Sequence, residues 1–231
     1  RLDKLEEIRL AGEKYGSTLR GIAPVYSDKY AKKCIRTGDL FFPEYLEHRL
    51  KNVLAYKNLM IENVYGAEES SFEDMMDYLN TYGGEFKDYI CDTGVFLREA
   101  AERGDRIMFE AQLGALRDID FGIYPYTSSS STIAAYAPIG AGIPGIKLDS
   151  TVGIMKAYSS CVGEGPFTVE MDGDESEALR KAGGEYGAAT GRPRRVGAFD
   201  AVASRYGIRC QGADKIALTK LDVLSYLDSI P

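Results

Sequence analysis

The sequence has no tryptophan, one histidine and only four cysteines among its 231 residues. The cysteines lie far apart and form no CxxC pair, so neither a zinc site nor a disulfide framework is predicted. We interpret the sole histidine, His48, as a partly exposed helix residue rather than a base or a metal ligand. No catalytic triad can be assembled, and no Walker-type GxxxxGK[ST] motif is present.

Long apolar runs and an excess of positive charge are missing as well. No apolar run approaches the roughly 20 residues that a membrane span requires, and no basic-then-apolar leader opens the chain. The 28 basic and 35 acidic residues give a net charge of −7, which argues against nucleic acid or an anionic membrane as a partner. We expect a soluble, unexported protein with reduced thiols. Because it begins with Arg1 and ends with Pro231 after an apolar turn, we expect it to be a piece of a longer chain.

The first hundred residues carry apolar side chains at helical spacing. Two sets predict two helices: Leu46, Leu50, Val53 and Leu54 in the first, and Phe72, Met75, Met76 and Leu79 in the second. Ser70 and Glu73 resemble a capping box that starts the second helix. We interpret the stripe of methionine and phenylalanine as packing rather than as a cofactor contact.

After Gly104 the residue pattern changes to short apolar runs separated by glycine. Three runs predict buried strands: Arg106–Ala111, Thr151–Tyr158 and Asp214–Asp222. Two short helices are predicted between them, Glu175–Ala182 before Gly183 and Asp200–Tyr206 before Gly207. Strands that alternate with helices indicate an α/β fold with a mostly parallel sheet, in which ligands bind at the carboxyl ends of strands.

The strongest local signal is the run Thr219-Lys220-Leu221-Asp222 at the end of a predicted strand. A carboxylate at a strand tip accepts two hydrogen bonds from the N1-H and the exocyclic amine of guanine, whereas adenine has no such pair of donors. The lysine stem is able to lie along the purine, and the threonine to fix the turn. An aspartate that merely caps a helix is the alternative interpretation of Asp222.

Two glycine-rich stretches are further candidates. In Gly184–Arg195, glycines flank Arg192, Arg194 and Arg195, with no acidic residue between Glu185 and Asp200. This composition is typical of a site for phosphate or carboxylate, because the guanidinium fork pairs with both; a solvated arginine face is the alternative. The stretch Val162–Phe167, VGEGPF, predicts a tight turn that serves equally as a structural turn or a ligand loop.

Six motifs together resemble the adenylosuccinate synthetase family. They occur in the family's order along nearly the whole chain: GSTLRGIAP, YSDKYAKKCIRTGDL, RDIDFGIYPYTSSSS, VGIMKAYSSCVGEGPF, GGEYGAATGRPRRVGAFD and IALTKLDVL. The resemblance implies a P-loop-NTPase-like α/β fold with a helical amino-terminal portion. It also implies that GTP phosphorylates the 6-oxygen of IMP with the help of Mg2+, after which the amine of L-aspartate displaces phosphate.

The matched motifs imply ligand contacts for individual residues. For IMP, the residues are Thr18, Lys32, Gln112, Ser128 and Arg192. For L-aspartate, they are Thr190, Arg192 and Arg194. For GTP, they are Arg194, Lys220, Leu221 and Asp222.

Some positions depart from the family pattern. Lys32 stands where an arginine from across a homodimer interface is commoner, which keeps the charge but loses the bidentate fork. Leu113 stands where many members have a glutamine, with Gln112 one residue earlier, and Ala189 replaces a hydroxyl residue.

The resemblance also implies parts that these residues do not contain. The phosphate loop, the catalytic aspartate that binds magnesium and the catalytic histidine belong before the first motif, and strands of the guanine pocket belong after Pro231. We therefore expect no catalytic residue and no metal ligand in this chain, and no turnover by the chain alone. The expected organisation is a helical subdomain over residues 1–105, with the IMP-phosphate loop and the dimer contact, and an α/β portion over residues 106–231. The resemblance implies a cytoplasmic homodimer.

Two other classes of function stay open at this stage. Signal-recognition-type GTPases also carry TKLD at a strand end, so a guanine-nucleotide switch or binding module is one alternative. A catalytically dead scaffold that retains only a dimer surface is the other.

Overall fold

The computed structural model describes residues 1–187 and 191–230 and divides the chain into two compact units. The first unit comprises Arg1–Glu13 and Leu19–Glu102. The second comprises Lys14–Thr18 and the chain from Arg103 onward. The sequence-based boundary lies three residues later, and it assigns the Thr18 loop to the helical part, whereas the structure groups this loop with the second unit.

The first unit is helical. Its helices are α1 (Leu2–Leu10), α2 (Ile22–Ala31), α3 (Pro43–Asn63), α4 (Phe72–Phe86) and α5 (Thr93–Glu102). Helix α3 has proline in its first turn. The backbone N–H groups of a first turn have no acceptor within the helix, so the N–H that proline lacks is not missed there. Leu46 and Leu50 are buried and Val53 and Leu54 are half-buried, so the predicted helix is confirmed.

Helix α4 begins one residue later than the predicted capping box. Ser71 is the N-cap, and its Oγ accepts a hydrogen bond from the amide of Asp74 at 3.2 Å. Ser70 lies outside the helix, where its amide donates to Oδ1 of Asn58 at 2.9 Å. The prediction of Ser70 and Glu73 as the box is therefore wrong, because Ser70 is held by α3 instead.

The apolar stripe of α4 packs within the first unit. Phe72, Met76 and Leu79 are half-buried, and Met75 is more exposed. Met76 and Leu79 line a cavity of about 50 Å³ together with Leu46 of α3. These contacts agree with a packing role for the stripe.

The strands of the second unit form two small sheets in the described part of the chain. Strand β1 (Val152–Lys156) pairs with β4 (Lys215–Thr219) in parallel, with Ile154 opposite Ala217. Strand β2 (Ser159–Cys161) pairs with β3 (Arg195–Gly197) in antiparallel register. The α/β class and the parallel pairing agree with the prediction from the sequence. The antiparallel pair was not predicted.

Two details of the strand prediction are wrong. The run Arg106–Ala111 has no regular secondary structure. Strands β1 and β4 are also not buried, since Ile154 is 74% exposed and Leu218 is 46% exposed. The reason is that β1 and β4 pair only with each other among the described residues, and a sheet of two strands is too narrow to bury its own side chains.

Three helices accompany these sheets in the described residues: α6 (Ala137–Gly140), α7 (Gly173–Gly183) and α8 (Ala201–Gln211). Helix α8 is capped by Asp200, whose Oδ1 accepts from the amides of Val202 at 3.0 Å and Ala203 at 2.8 Å. It does not end at Gly207 as predicted. It continues to Gly212, whose left-handed conformation, with φ of 59°, closes the last turn.

The core of the second unit joins the link between β1 and β2, helix α7, strand β3 and the short 3-10 helix after β4. Its buried members are Ala157, Tyr158, Leu179, Val196 and Leu224. This core fixes the residues on either side of it, which include the arginine-rich segment before β3 and the TKLD run after β4. No helix within residues 1–187 and 191–230 is long and apolar enough to cross a membrane.

Candidate functional site

The VGEGPF turn follows β2 directly. Gly163 and Gly165 have φ of 124° and 103°, which side chains with a Cβ rarely adopt. A Cβ on Gly165 would also lie 2.5 Å from Cγ of Tyr126. The turn is held from the other side by Arg195, whose Nη1 donates to the carbonyls of Gly165 at 2.8 Å and Gly163 at 3.3 Å. Glycine is therefore required at Gly165 by both backbone conformation and space, and at Gly163 by backbone conformation.

The segment that leads to Thr18 lies against this turn. The amide of Glu164 donates to the carbonyl of Tyr15 at 3.4 Å. Gly16 has φ of 77°, and a Cβ on it would stand 3.0 Å from Cα of Gly163. Thr18, two residues further on, is exposed beside this contact. The turn thus fixes the start of the segment predicted to bind the IMP phosphate.

The loop that carries Ser128 is shaped by a buried carboxylate. Asp118 is 1% exposed. Its Oδ1 accepts from the amides of Asp120 at 2.9 Å and Phe121 at 3.0 Å, and its Oδ2 accepts from the amide of Thr132 at 2.6 Å. Burial acts to raise the pKa of Asp118, but these amide donors outweigh it and hold the pKa below the ordinary 3.8. The ionised carboxylate therefore closes the loop between Asp118 and Thr132.

Arg117 connects the Ser128 loop to the turn. Its carbonyl accepts a hydrogen bond from the amide of Ser128 at 2.7 Å. Its guanidinium donates to the carbonyl of Tyr126, to Sγ of Cys161 and, at 3.5 Å, to the carbonyl of Glu164. This role was not predicted from the sequence, in which Arg117 stands only as the first residue of the RDIDFGIYPYTSSSS motif.

Arg192 reaches the same turn from the arginine-rich segment. Its Nη2 donates to Oε1 of Glu164 at 3.1 Å. The segments of Thr18, Ser128 and Arg192 therefore meet at one turn, and we call Tyr15–Thr18, Arg117, Ser128, Glu164 and Arg192 the turn cluster.

The prediction that the three arginines lack acidic neighbours is wrong. Each forms an ion pair with a glutamate: Arg192 with Glu164, Arg194 with Glu185, and Arg195 with Glu170. Folding brings in Glu164 and Glu170 from other segments, whereas Glu185 lies in the same stretch as the arginines. Arg195 is largely occupied by Glu170 and by the turn carbonyls, so its role is structural.

Arg194 belongs to a second group around a buried carboxylate. Glu185 is 2% exposed and accepts from Lys156 Nζ at 2.6 Å, from Tyr158 Oη, and from Arg194 Nη1 at 3.2 Å. Burial acts to raise the pKa of Glu185, but the bonds from Lys156 and Tyr158 and the charge of Arg194 hold it below the ordinary 4.5. We call Lys156, Tyr158, Glu185 and Arg194 the Glu185 cluster.

One atom of this cluster has no partner within residues 1–187 and 191–230. Nε of Arg194 is buried and makes no hydrogen bond with any residue that the structure describes. A buried donor without an acceptor is unfavourable by about 1–3 kcal/mol, so such an atom is a candidate contact for a ligand oxygen.

The TKLD run lies next to the Glu185 cluster. Lys220 has φ of 64°, an uncommon conformation for a residue other than glycine, and its Nζ donates to the carbonyl of Gly183 at 3.2 Å. Asp222 is exposed in the first turn of a short 3-10 helix whose N-cap position belongs to Leu221. The cap interpretation of Asp222 is therefore wrong. Its charge is one of the causes, after burial and Glu185, that raise the pKa of Tyr158.

The remaining predicted contacts lie outside these two clusters. Gln112 is exposed in a segment without regular structure, followed by Leu113 with φ of 80°. Lys32 is the C-cap of α2 in the first unit, with φ of 60°. Thr190 and Ala189 lie outside the described residues. The sequence analysis also missed Glu164 and Glu185, although each stands beside a glycine in a stretch that it had singled out.

Within residues 1–187 and 191–230, no group of three or more histidine, cysteine, aspartate or glutamate side chains is placed to hold a metal ion. His48 is an exposed residue of α3 whose Nε2 lies 3.1 Å from Nδ2 of Asn52, which agrees with its interpretation as a helix residue.

Comparison with known proteins gives a consistent result. The family model described as adenylosuccinate synthetase matches residues 1–231. The chain is 44% identical over 230 residues to an adenylosuccinate synthetase of Heliobacterium modesticaldum and 42% identical to one of a Geobacillus species. Each match covers 100% of this chain but 54% of the relative, so the chain spans about half the length of the curated relatives it matches.

A solved structure agrees in fold. It is described as a fully ligated adenylosuccinate synthetase from Plasmodium falciparum, and it superposes with a TM-score of 0.91 at 36% identity. The match covers 99% of this chain and 54% of that chain.

Proposed function

The chain belongs to the adenylosuccinate synthetase family, and we propose that the protein it forms part of joins IMP to L-aspartate with GTP as co-substrate. The products are adenylosuccinate, GDP and phosphate, and the reaction is a carbon–nitrogen ligation in purine nucleotide synthesis. The 6-oxygen of IMP is a poor leaving group until it carries a phosphoryl group. A site for this reaction needs cations and backbone donors for the transferring phosphoryl charge, and an oriented aspartate amine.

IMP is assigned to the turn cluster. Thr18 and Ser128 supply hydroxyl groups, and Arg192 supplies a guanidinium, from segments that meet at the VGEGPF turn. The pair of Arg192 with Glu164 is half-exposed, with both side chains at 49%, and such pairs contribute about 0–1 kcal/mol. An anionic ligand therefore replaces Glu164 on Arg192 with little loss. Gln112 and Lys32 are assigned further IMP contacts by their motifs alone.

L-aspartate and the GTP phosphates are assigned to Arg194, with Thr190 as a second aspartate contact. The buried and unpartnered Nε of Arg194 supports this assignment, because a carboxylate or phosphate oxygen would satisfy it. The guanidinium of Arg194 is held on its Nη1 side by Glu185, and its Nε has no acceptor among the residues that the structure describes.

Guanine is assigned to Lys220, Leu221 and Asp222. The exposed carboxylate of Asp222 supports this, because it is not used as a helix cap. The bond from Lys220 to the carbonyl of Gly183 holds the run beside the Glu185 cluster. Base recognition and phosphate recognition then lie on adjoining segments.

Mg2+ is implied by the family as the ion that assists phosphoryl transfer. The described residues contain no set of side chains placed to bind it, so we assign no residue of this chain to the metal and derive no step through it. We also assign no residue of this chain to proton transfer. A cytoplasmic homodimer is proposed on family grounds, with Lys32 near the partner subunit.

The observation that carries the proposal is the meeting of three predicted substrate segments at the VGEGPF turn. It is tested with the full-length protein by equilibrium dialysis against IMP, GTP and L-aspartate separately, with Arg192→Ala as a variant. We expect IMP to bind the wild type and to bind the variant at least tenfold more weakly. GTP binding without IMP or aspartate binding would instead favour a guanine-nucleotide module, and no binding of any of the three would favour a scaffold.

A further inference from the structure

Glu185 is a buried carboxylate to which the sequence motifs assign no contact. Its side chain is 2% exposed, yet it takes hydrogen bonds from three different elements of the second unit. Lys156 comes from the end of β1, Tyr158 from the link between β1 and β2, and Arg194 from the segment before β3. A buried charge needs such compensation, because its desolvation is otherwise highly unfavourable.

The carboxylate is not needed to hold the backbone in place. The amide of Arg194 donates to the carbonyl of Glu185 at 2.9 Å. The carbonyl of Arg194 in turn accepts from Nε of Arg180 at 3.0 Å. Both main-chain groups of Arg194 are therefore fixed independently, so the contact between the Glu185 carboxylate and Nη1 acts on the direction of the arginine side chain.

The charges of the Glu185 cluster leave a positive surplus. Lys156 and Arg194 share the single negative charge of Glu185, and Tyr158 adds a neutral donor. Arg194 is thus oriented without being fully neutralised. A guanidinium in this state is suited to hold an anionic ligand in a fixed geometry.

The same stretch of chain also anchors the TKLD run. Lys220 Nζ donates to the carbonyl of Gly183, two residues before Glu185. Gly183 itself packs closely on Tyr158, because a Cβ there would lie 2.4 Å from the tyrosine Oη. The segment Gly183–Glu185 therefore touches both the guanine-side lysine and the cluster that orients Arg194.

We propose that Glu185 is a positioning residue that directs the Arg194 guanidinium toward the L-aspartate and GTP subsites, with Lys156 and Tyr158 holding its carboxylate. This inference rests on the proposed function. Arg194 touches the ligands, and Glu185 acts through it.

The test uses the full-length protein and Glu185→Gln, which keeps the size and one oxygen acceptor but removes the charge. We expect the KM for aspartate to rise about tenfold and the KM for IMP to stay within about twofold. The matched control is Glu177→Gln, because Glu177 also pairs with two cations, Arg180 and Lys181, but lies on the exposed side of α7. This control is expected to leave every KM within about twofold.

A double variant separates positioning from general loosening of the fold. With Arg194→Ala already in place, adding Glu185→Gln is expected to cause no further rise in the aspartate KM, because its only route of action has been removed. Additive effects, equal rises in all three KM values, or no change in Glu185→Gln would each overturn the proposal. If Glu185→Gln is insoluble, Tyr158→Phe replaces it, with an expected two- to threefold rise in the aspartate KM; an unchanged value would overturn the proposal.

The activity of the wild type distinguishes a failure of this inference from a failure of the proposed function. A wild-type protein that makes no adenylosuccinate contradicts the proposed function. A wild type that is active, with an aspartate KM that Glu185→Gln leaves unchanged, contradicts only the role of Glu185.

Discussion

Glu164 binds Arg192 through an ion pair of 3.1 Å between Oε1 and Nη2, and so joins the VGEGPF turn to the arginine-rich segment. The same glutamate donates its amide to the carbonyl of Tyr15 and accepts from Arg117 at its carbonyl. One residue at the tip of a turn therefore contacts three segments predicted to bind substrate. The arrangement predicts which substitutions alter ligand binding and which alter stability.

Arg192 and Arg195 are expected to respond differently to replacement by alanine. Arg192→Ala removes a half-exposed pair, so the thermal midpoint of the full-length protein should change little while the KM for IMP rises. Arg195→Ala removes the bonds to Glu170 and to both turn carbonyls, and it should lower the stability by about 1–3 kcal/mol. Thermal unfolding and steady-state kinetics of the two variants check this prediction. Equal thermal midpoints for the two variants would show that the roles are misassigned.

Gly165→Ala is expected to disrupt the turn. The new Cβ meets Tyr126 at 2.5 Å, and the residue must keep a φ of 103°, which together are unfavourable by at least about 2 kcal/mol. The thermal midpoint and the affinity for IMP should both fall. Gly145→Ala is the control, because a Cβ there meets nothing within 4 Å. An unchanged IMP affinity in Gly165→Ala would contradict a role for the turn in binding.

Asp222→Asn is expected to weaken the binding of GTP and to strengthen the binding of xanthine nucleotides. The asparagine oxygen still accepts from N1-H, but its N–H donor now faces the exocyclic 2-amine of guanine, which is also a donor. The 2-oxo group of xanthine accepts that N–H. The KM for GTP should rise at least tenfold and that for XTP should fall. Asp228→Asn, an exposed aspartate six residues later, is the control. An unchanged KM for GTP would refute the assignment of Asp222.

The stability that Glu185 provides is expected to depend on pH. Since the folded state holds the pKa of Glu185 below 4.5, its contribution is present above pH 4.5 and is lost as the pH falls through the folded pKa. The wild type should unfold at a higher temperature than Glu185→Gln at pH 7, and the difference should narrow below pH 4.5. Thermal scans from pH 7 to pH 4 check this. If the difference in unfolding temperature between the wild type and Glu185→Gln widens in acid, the sign of the pKa shift is wrong.

The sequence predicted elements with a strong local pattern and missed those set by distant contacts. Leu46, Leu50, Val53 and Leu54 repeat at helical spacing, so α3 was predictable from its own residues. The run Arg106–Ala111 has the composition of a strand, but composition does not provide a pairing partner. Gly207 resembles a helix end, yet α8 continues past it because Gly212 supplies the left-handed conformation that closes the helix.

The candidate site was predictable in its motifs but not in its counter-charges. Arg192, Arg194 and the TKLD run were identified from composition and order along the chain. Glu164 and Glu185 were not, because their partners lie 28 and 9 positions away and only the folded chain brings them together. Charge that looks uncompensated along a sequence is therefore a weak guide to charge in the folded site.

The most direct test of the account is a product assay on the full-length protein with IMP, L-aspartate, GTP and Mg2+ and with each substrate omitted in turn. We predict that adenylosuccinate, GDP and phosphate form in equal amounts, and that no adenylosuccinate forms when any one substrate is left out. GDP formation at the same rate without IMP and aspartate, or no adenylosuccinate in the complete mixture, would contradict it.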